Sequence, residues 1–352
     1  MFFVPPRCPN VHCAQHREPK PGFYWRTGYY QPKCRSVPVP RFRCRACSRG
    51  FSRQTFRFDY RDHRPECNEP LLGHLYSGVG LRQAARLLKL DVHSVQGKLR
   101  KIGWTCRRLH RNLSPQLPPG RTYLLDEEET YEKASIRPLT MPVLIEKEHW
   151  FVVATTAGSI RRLAELGTRR RVAQDIDEGK RGPRRDQSRR CVRAVLRTLS
   201  HRIGGAQLVF RTDKKISYGE LAREVFGERV QHETTSSTDI RSTFNPLFAI
   251  NTTLAMTRDN CGRLRRRSWL VTKRAKRLRA HLSIFTIYRN YMRRRFNHDA
   301  ESETSAVLLG LLPRQLHQHE VLAWRQDWGE RSIHPMSTSA SRTVREAIAI
   351  PA

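Results

Sequence analysis

The sequence lacks a long hydrophobic run and an obvious leader segment. No apolar stretch approaches the ~20 consecutive residues that a transmembrane helix needs. The amino-terminal residues 1–6, Met-Phe-Phe-Val-Pro-Pro, are too short to form a signal peptide. We therefore expect a cytoplasmic protein without a membrane partner.

Acidic residues are also scarce. The chain has 32 Asp and Glu against 66 Lys and Arg, which gives a formal net charge of +34. A charge of this size opposes compaction unless a polyanion is near, and binding to phosphates releases counterions. Because 38% of the 352 residues are apolar, a disordered polycation is excluded. The composition predicts a folded, nucleoid-associated protein of two or three domains that binds nucleic acid.

The nine cysteines of a cytoplasmic protein are expected to be metal ligands or reduced thiols rather than disulfides. Four of them form two closely spaced pairs near the amino terminus: Cys8, Cys13, Cys44 and Cys47. Two such pairs in a segment with few apolar residues predict a zinc ribbon over residues 1–60, with a structural Zn²⁺. Cys34 is a fifth candidate ligand, and His12 and His16 are lesser candidates.

Residues 68–112 have apolar positions at helical spacing in three successive stretches. The adjacent Ala84 and Ala85, followed by a turn at Asp91 as a predicted N-cap, indicate a helix-turn-helix. Four polar residues of the third helix are predicted to contact DNA: Gln96, Lys98, Arg100 and Lys101. An ordinary three-helix bundle is the alternative, and the Pro-rich residues 113–120 indicate a linker.

The central residues 121–300 show the order strand, strand, strand, helix, strand, helix, strand, helix. This order predicts an α/β (α+β) fold with an RNase H-like, mixed five-stranded sheet. The first strand ends at Asp126 and the fourth at Asp213, and in an RNase H-like fold these two strands are neighbours. Two carboxylates at one sheet edge predict a site for Mg²⁺ or Mn²⁺. Residues 158–190 form a very basic insertion or mobile arm, and residues 301–352 form a C-terminal tail.

Several short motifs follow one another in a specific order. They are the Cys44-Arg-Ala-Cys47 knuckle, Asp126-Glu127, Thr212-Asp213 with Tyr218 downstream, and a basic signature from Asn251 through Arg263 to Lys273. In this order they resemble bacterial insertion-sequence DDE transposases, and the resemblance covers most of the chain. It implies a transposase that nicks and joins DNA at insertion-sequence ends, using two Mg²⁺ ions about 4 Å apart. It also implies a homodimer that binds double-stranded DNA, both the terminal inverted repeats and the target DNA.

The third acid of that family corresponds in position to Asn251, which offers an amide oxygen but no charge. Asp259 lies two turns further along the same predicted helix, so we predict Asp126, Asp213 and Asp259 as the catalytic acids. Three other residues remain open as the third ligand: Asn251, Asp239 and Glu233. The neighbouring Glu127, Glu129 and Glu132 are expected to be solvated or to support the ligands.

Four basic residues are expected to bind the scissile phosphates: Arg258, Arg263, Arg266 and Lys273. Residues 273–295 are rich in Lys and Arg, and they predict a helix that contacts a phosphate backbone with one of its faces. Taken singly, Asp126 is better explained as a turn residue and Asp213 as a helix N-cap. Without a third acid, the protein is a non-catalytic DNA-binding regulator or an inactive transposase remnant. A resolvase-like nuclease that cuts branched DNA is a third interpretation.

Overall fold

The structure is a computed structural model that describes residues 3–34, 36–236, 239–240, 242–265, 270–296 and 302–324. The chain divides into two compact units, one of Met1–Pro70 with His317–Ala352 and one of Leu71–Leu316. The fold is mixed α/β, with a small antiparallel sheet in the first unit and a mixed sheet with helices in the second. Within the described residues, no helix is both long and apolar enough to cross a bilayer.

The first unit contains a three-stranded antiparallel sheet. Its first elements are helix α1 (Ala14–Arg17) and strands β1 (Tyr24–Tyr30), β2 (Val39–Cys44) and β3 (Gly50–Ser52). Phe23, Phe42, Phe51 and Phe56 are buried together beside three buried cysteines. So small a core is typical of domains that depend on a bound metal.

Three helices precede the sheet of the second unit. They are α2 (Asn68–Tyr76), α3 (Leu81–Leu87) and α4 (Val92–Leu113). Asp91 is the N-cap of α4, as predicted, because its carboxylate accepts hydrogen bonds from the backbone N–H groups of His93 and Ser94.

The sheet of the second unit has six strands. They are β4 (Thr122–Tyr131), β5 (Pro138–Glu146), β6 (Val152–Thr155), β7 (Gly158–Ser159), β8 (Leu208–Asp213) and β9 (Val230–Thr235). The strand order is β6-β5-β4-β8-β9, and the short β7 pairs with β5. Strand β5 is antiparallel to β4 and β6, whereas β8 runs parallel to β4 and β9 parallel to β8. Strands β4 and β8, which contain the predicted first and fourth strands, are neighbours, as predicted. The short β7 was not predicted, so this sheet has six strands among the described residues and not five.

The further helices of this unit are α5 (Arg169–Arg181), α6 (Ser188–Ile203), α7 (Ile216–Phe226), α8 (Phe248–Asn260), α9 (Ala275–Ile287) and α10 (Ser305–Leu308). Helices α6, α7, α8 and α9 contact strands of the sheet. On one face, Leu124 and Val143 form a buried core with Ile250 of α8 and Leu282 of α9. Helix α6 packs against β5 and β6 from the other face. Strand β5 is buried at every position, as expected for a strand covered on both sides.

The three helices α2–α4 belong to the same unit as the sheet, so the chain does not divide at residues 113–120. A Cβ added to Gly103 of α4 would lie 2.4 Å from the backbone oxygen of Ala280 in α9, so these two helices are in close contact. The turn between α2 and α3 is also attached to the core, because the Gly78 N–H donates to the backbone oxygen of Asn260 at 3.1 Å. The predicted linker therefore connects two parts of one compact unit.

The basic residues 158–190 contain two regular elements, β7 and α5. Arg137, next to β5, forms an ion pair with Asp177 of α5 at 2.8 Å. This segment is thus a structured insertion. Of the predicted tail, residues 302–316 belong to the second unit, helix α11 (Gln318–Ala323) belongs to the first, and residues 325–352 lie outside the described residues.

Candidate functional site

Four cysteine sulfurs converge in the first unit. The Sγ atoms of Cys8, Cys13, Cys44 and Cys47 all lie within 4.8 Å of one another. The distance is 3.5 Å between Cys8 and Cys47 and 3.8 Å between Cys13 and Cys44. Four thiolates bound to Zn²⁺ at about 2.3 Å would lie roughly 3.8 Å from each other. The predicted ligands are thus brought together, and they could hold a metal ion such as zinc.

The thiols of this group do not ionise equally readily. Burial would raise the pKa of Cys47, but hydrogen bonds from the Arg49 backbone and from neighbouring side chains lower it to about 7, whereas burial raises the pKa of Cys8 and of Cys13. Of these three thiols, Cys47 therefore ionises most readily, and a metal ion binds the thiolate form. The alternative ligands do not join the group: Cys34 is exposed, and Nδ1 of His16 is 2.6 Å from the backbone oxygen of Cys8. His12 is also exposed.

The two predicted aspartates lie on neighbouring parallel strands. Asp213 ends β8, but the prediction that the first strand ends at Asp126 is wrong, because β4 continues along β5 to Tyr131. The last pair of the β4–β8 ladder is Leu124 opposite Arg211, and Asp126 and Asp213 each follow two residues after that pair. Because side chains alternate along a strand, Asp126 lies on the same face as Leu124, which is buried against α8 and α9.

Three acidic side chains influence the hydroxyl of Tyr218, on α7. Burial raises the pKa of Tyr218 well above its ordinary value, and the carboxylates of Glu127, Asp126 and Asp213 raise it further. The Tyr218 hydroxyl donates to Oε2 of Glu127 at 3.0 Å. The charges of Glu127 and of the two aspartates therefore act on one phenol, and Glu127 contacts it directly.

Each aspartate also contacts the backbone. Oδ1 of Asp126 accepts from the N–H of Glu127 at 2.7 Å, and Oδ1 of Asp213 accepts from the N–H of Lys215 at 3.1 Å. The N-cap of α7 is Lys215, without a side-chain cap hydrogen bond, so the interpretation of Asp213 as a helix N-cap is wrong. A carboxylate has about four lone-pair sites, so one backbone hydrogen bond leaves Asp213 able to bind a metal ion.

Glu127 is held by several side chains. Its carboxylate accepts hydrogen bonds from Thr140 at 2.5 Å and Ser188 at 2.9 Å, and it forms an ion pair with Lys215. Burial would raise the pKa of Glu127, but the hydrogen bonds from Lys215, Thr140 and Ser188 outweigh it and the pKa is lowered. Glu127 is therefore a buried, ionised residue that positions Lys215 and Tyr218 beside the two aspartates.

Sequence reasoning missed Glu128. This residue is 3% exposed, and its carboxylate accepts from Oγ1 of Thr257 at 3.0 Å and from Nε of Arg258 at 2.7 Å. Both donors are on α8, so Glu128 attaches α8 to the sheet face that carries Asp126. The signal that could have found it is strand alternation, because Glu128 is two residues after Asp126.

The third ligand was predicted on α8, and the structure does not bring Asp259 to the two aspartates. The Asp259 side chain is 79% exposed and lies 3.7 Å from Arg265, on the side of α8 away from the buried Ile250 and Leu254. The physical reason is helical geometry: eight residues exceed two turns by about 80°. Asp259 and Asn251 therefore share a helix but not a side.

Asn251 is better placed than Asp259. It precedes Arg258 by seven residues, close to two helical turns, so both lie on one side of α8. That side contacts Glu128 on β4. Of the other open candidates, Glu233 pairs with Arg211 at 2.5 Å and Asp239 is exposed.

The predicted DNA-contacting residues of α4 do not form one exposed face. Arg100 is exposed and Gln96 and Lys101 are partly buried, but Lys98 is only 6% exposed. The prediction that Lys98 contacts DNA is therefore wrong for this structure. The helical periodicity of apolar residues in a sequence identifies one buried side of a helix. In the structure, other parts of the protein cover α4 on more than one side.

The four predicted phosphate-binding residues have different environments. Arg258 is held by Glu128, Arg263 is 7% exposed, and Lys273 is exposed. Arg266 lies outside the described residues.

Comparison with known proteins assigns no family to the chain. No protein-family model matches it. No curated protein matches it with significance. The function is therefore argued from the geometry of the two clusters above.

Proposed function

We propose that the protein is a DDE-type transposase with an RNase H-like core, which nicks and joins DNA at the ends of an insertion sequence. The arrangement that supports this most is Asp213 at the end of β8 and Asp126 on the neighbouring β4, each two residues past the last β4–β8 pair. Carboxylates on adjacent parallel strands are suited to holding a divalent ion for phosphoryl transfer.

The donor set fits Mg²⁺ or Mn²⁺, because carboxylate and amide oxygens are the hard ligands that these ions prefer. Asp126 and Asp213 would hold the ion, and the amide oxygen of Asn251 would replace the predicted third acid. When bound, the ion supplies charge neutralisation and an activated nucleophile for phosphoryl transfer.

Side chains around the aspartates have supporting roles in this proposal. Glu127 holds the Lys215 ammonium and the Tyr218 hydroxyl beside the aspartates. The positive charge of Lys215 would therefore lie next to the reacting phosphate. Glu128 orients Arg258, whose side chain remains half-exposed and is suited to a phosphate oxygen.

The net charge of +34 and the helices α2–α4 support double-stranded DNA as the substrate. Zinc held by the four cysteines would stabilise the first unit. A homodimer is expected because transposition must pair two DNA ends.

One observation favours a second candidate, a non-catalytic DNA-binding protein. Asn251 is neutral where the resembled family has an acid, and the nearby Asp259 is on another side of α8. Such a protein would bind DNA and zinc but would not cleave strands.

The test uses supercoiled DNA that carries the sequences flanking the gene, incubated with Mg²⁺ or Mn²⁺ and assayed for nicks with 3′-hydroxyl ends. Asp126→Ala and Asp213→Ala should reduce nicking by roughly 10³-fold or more, because each removes several kcal/mol of transition-state stabilisation. DNA affinity should be unchanged in both variants.

Glu129→Ala is the matched control, since Glu129 is an exposed acid on the same strand, paired with Arg162. It should nick as the wild type does. Undiminished nicking in both aspartate variants would refute the proposed site, and absence of nicking by the wild type with either ion would favour the non-catalytic protein.

A further inference from the structure

A groove of about 1280 Å³ crosses the second unit, between the α3–α4 region and the segment that leads from α8 into α9. Ten of its lining residues lie between Val79 and Gln96, and the other eight are described residues between Gly262 and His281. Small-molecule pockets are usually about 300–1000 Å³. This groove is larger than that range, and six of its eighteen lining residues are arginine or lysine.

The groove is strongly cationic. Arg82 and Arg86 line it from α3, and Lys273, Arg274 and Arg277 line it from the start of α9. The one acid that lines it among the described residues is Asp91. Its carboxylate is already engaged at the N-terminus of α4, where it accepts from the backbone of His93 and Ser94. Six of the lining residues are arginine or lysine and one is acidic, so the lining of the groove carries an excess of positive charge.

The lowered pKa of Arg277 reflects the mutual repulsion of these cations. Burial lowers the pKa of Arg277, and the neighbouring charges of Arg100 and Arg274 lower it further. A polyanion in the groove would relieve this repulsion.

Two buried side chains on the groove wall have unmet hydrogen-bonding capacity. Arg263 is 7% exposed, and its Nε has no hydrogen-bond partner among the described residues. His281 is 1% exposed; its Nε2 donates to the backbone oxygen of Leu75 at 2.8 Å, while its Nδ1 lacks a partner in the described part of the chain. A buried guanidinium without an anion is costly, so an anionic ligand for Arg263 is the natural complement.

The groove is preformed rather than dependent on a ligand. A hydrogen bond from Nη1 of Arg277 to the backbone oxygen of Gln96, at 2.7 Å, joins α9 to α4. At the other end, a Cβ on Gly262 would lie 2.6 Å from the backbone oxygen of Gly78, so the chain segments there are in direct contact. A ligand would therefore meet walls that are already in position.

We propose that this groove binds the phosphodiester backbone of DNA, with Arg263 as a buried phosphate ligand and Arg82 and Arg274 as exposed contacts to flanking phosphates. The proposal rests on the proposed function, in which DNA is the substrate, and it specifies where the DNA lies. It also changes the role of α4, whose first turns, with His93 and Gln96, form part of the groove wall.

The test compares the full-length protein with Arg82→Ala/Arg274→Ala, in which both altered residues are exposed, so folding should be unaffected. The control is Arg189→Ala/Arg193→Ala, which removes the same charge from α6, where the two arginines pair with Glu220 and Glu224. Binding of a short duplex and of a single strand of the same sequence is measured by fluorescence anisotropy between about 50 and 200 mM KCl.

Of the duplex and the single strand, one should bind the wild type more tightly. The groove variant should bind that form of DNA at least tenfold more weakly than the control variant does. Its slope of log affinity against log salt should fall by about two, one unit for each lost phosphate contact. Arg263→Gln, with folding checked by thermal unfolding, should weaken binding similarly. The form of DNA that shows the loss identifies whether the groove holds a duplex or a single strand.

Equal affinity and salt slope in the groove variant and the control would overturn the groove assignment, even if the wild type nicks DNA. The proposed transposase activity fails in a different way: the wild type would bind DNA with groove-dependent affinity but make no metal-dependent nicks. A wild type that binds neither form of DNA would overturn both.

Discussion

At the scale of single residues, the contacts of each carboxylate of β4 depend on the side of the strand that it occupies. Glu128 contacts α8, whereas the adjacent Glu127 contacts α6 and α7. Asp126 is two residues from Glu128 and lies on the same side of the strand by alternation. One strand thus separates the proposed metal ligand Asp126 from the hydrogen-bonding network of Glu127. The acidic run that looks uniform in the sequence is divided into two roles by strand alternation.

Replacing Asn251 with Asp tests whether this residue completes the metal site. Asn251→Asp adds a third charged oxygen, and because affinity rises with ligand charge, Mn²⁺ should bind roughly tenfold more tightly. Isothermal titration calorimetry gives the dissociation constant. Asp259→Ala is the control and should leave Mn²⁺ binding unaltered, since that side chain is 79% exposed. An unchanged Mn²⁺ affinity in Asn251→Asp would exclude Asn251 from the site.

The Glu127 network predicts a pH dependence of stability. Because the pKa of Glu127 in the folded protein is below its ordinary value of 4.5, the ionised carboxylate stabilises the fold above pH 4.5. This contribution is lost as the pH falls from 4.5 through the lowered pKa. Glu127→Gln should therefore cost about 1–3 kcal/mol of unfolding free energy at neutral pH, and the deficit should shrink on acidification.

Urea unfolding of Glu127→Gln at neutral and acidic pH measures both effects. Glu129→Gln serves for comparison, because it removes an exposed carboxylate from the same strand, where an ion pair contributes little. A deficit for Glu127→Gln that stays constant across this pH range would contradict the assigned role.

At the scale of elements, glycines mark where backbones touch. A Cβ on Gly262 would meet the Gly78 backbone oxygen at 2.6 Å, whereas a Cβ on Gly97, inside α4, would meet nothing within 4 Å. The same substitution is therefore expected to have opposite effects at the two positions.

Gly262→Ala should destabilise the protein by about 1–3 kcal/mol, because rigid backbone must move to accommodate the methyl group. Gly97→Ala should stabilise it by about 0.5–1 kcal/mol, because alanine loses less conformational entropy in a helix interior. Melting temperatures of the two variants measure the difference. If the melting temperatures of both variants shifted by a similar amount in the same direction, the segment after α8 and the turn between α2 and α3 would not be in close contact.

The sequence predicted the strand that ends at Asp213, the presence of a strand at Asp126 and the grouping of the cysteines, because these depend on local pattern and chain order. It did not predict that β4 continues past Asp126 to Tyr131, where it pairs with β5. It did not predict that Lys98 is buried or that Asp259 is exposed. Both depend on tertiary contacts: α4 lies along α9, and α8 turns its buried side to the sheet. Glu128 was missed because its partner Arg258 is distant in the chain and contacts it only in the folded structure.

At the scale of the whole molecule, the two units have different sources of stability. The first unit has a small aromatic core beside the four cysteines, whereas the second has a sheet covered on both faces. We therefore expect loss of metal to unfold the first unit and to leave the second folded.

Cys44→Ser should bind no zinc and should expose the first unit to trypsin. Cys34→Ser is the matched control, since Cys34 is exposed and outside the cysteine group, and it should retain one zinc ion per chain. Zinc content by mass spectrometry and limited proteolysis provide the readouts. Equal zinc content in the two variants would contradict the assignment of the ligands.

The attachment of α2–α4 to α8 and α9 has a consequence for the position at which the proposed activity would cut DNA. If these helices and the acids of β4 and β8 act on one DNA molecule, the spacing between the contacted bases and the attacked bond is fixed by a folded distance. An added base pair within that interval would shift the bond along the duplex and rotate it by about a tenth of a helical turn. If the proposed activity holds, the protein would then accept one spacing only, and it should leave such a substrate uncut rather than cut it at a neighbouring base step.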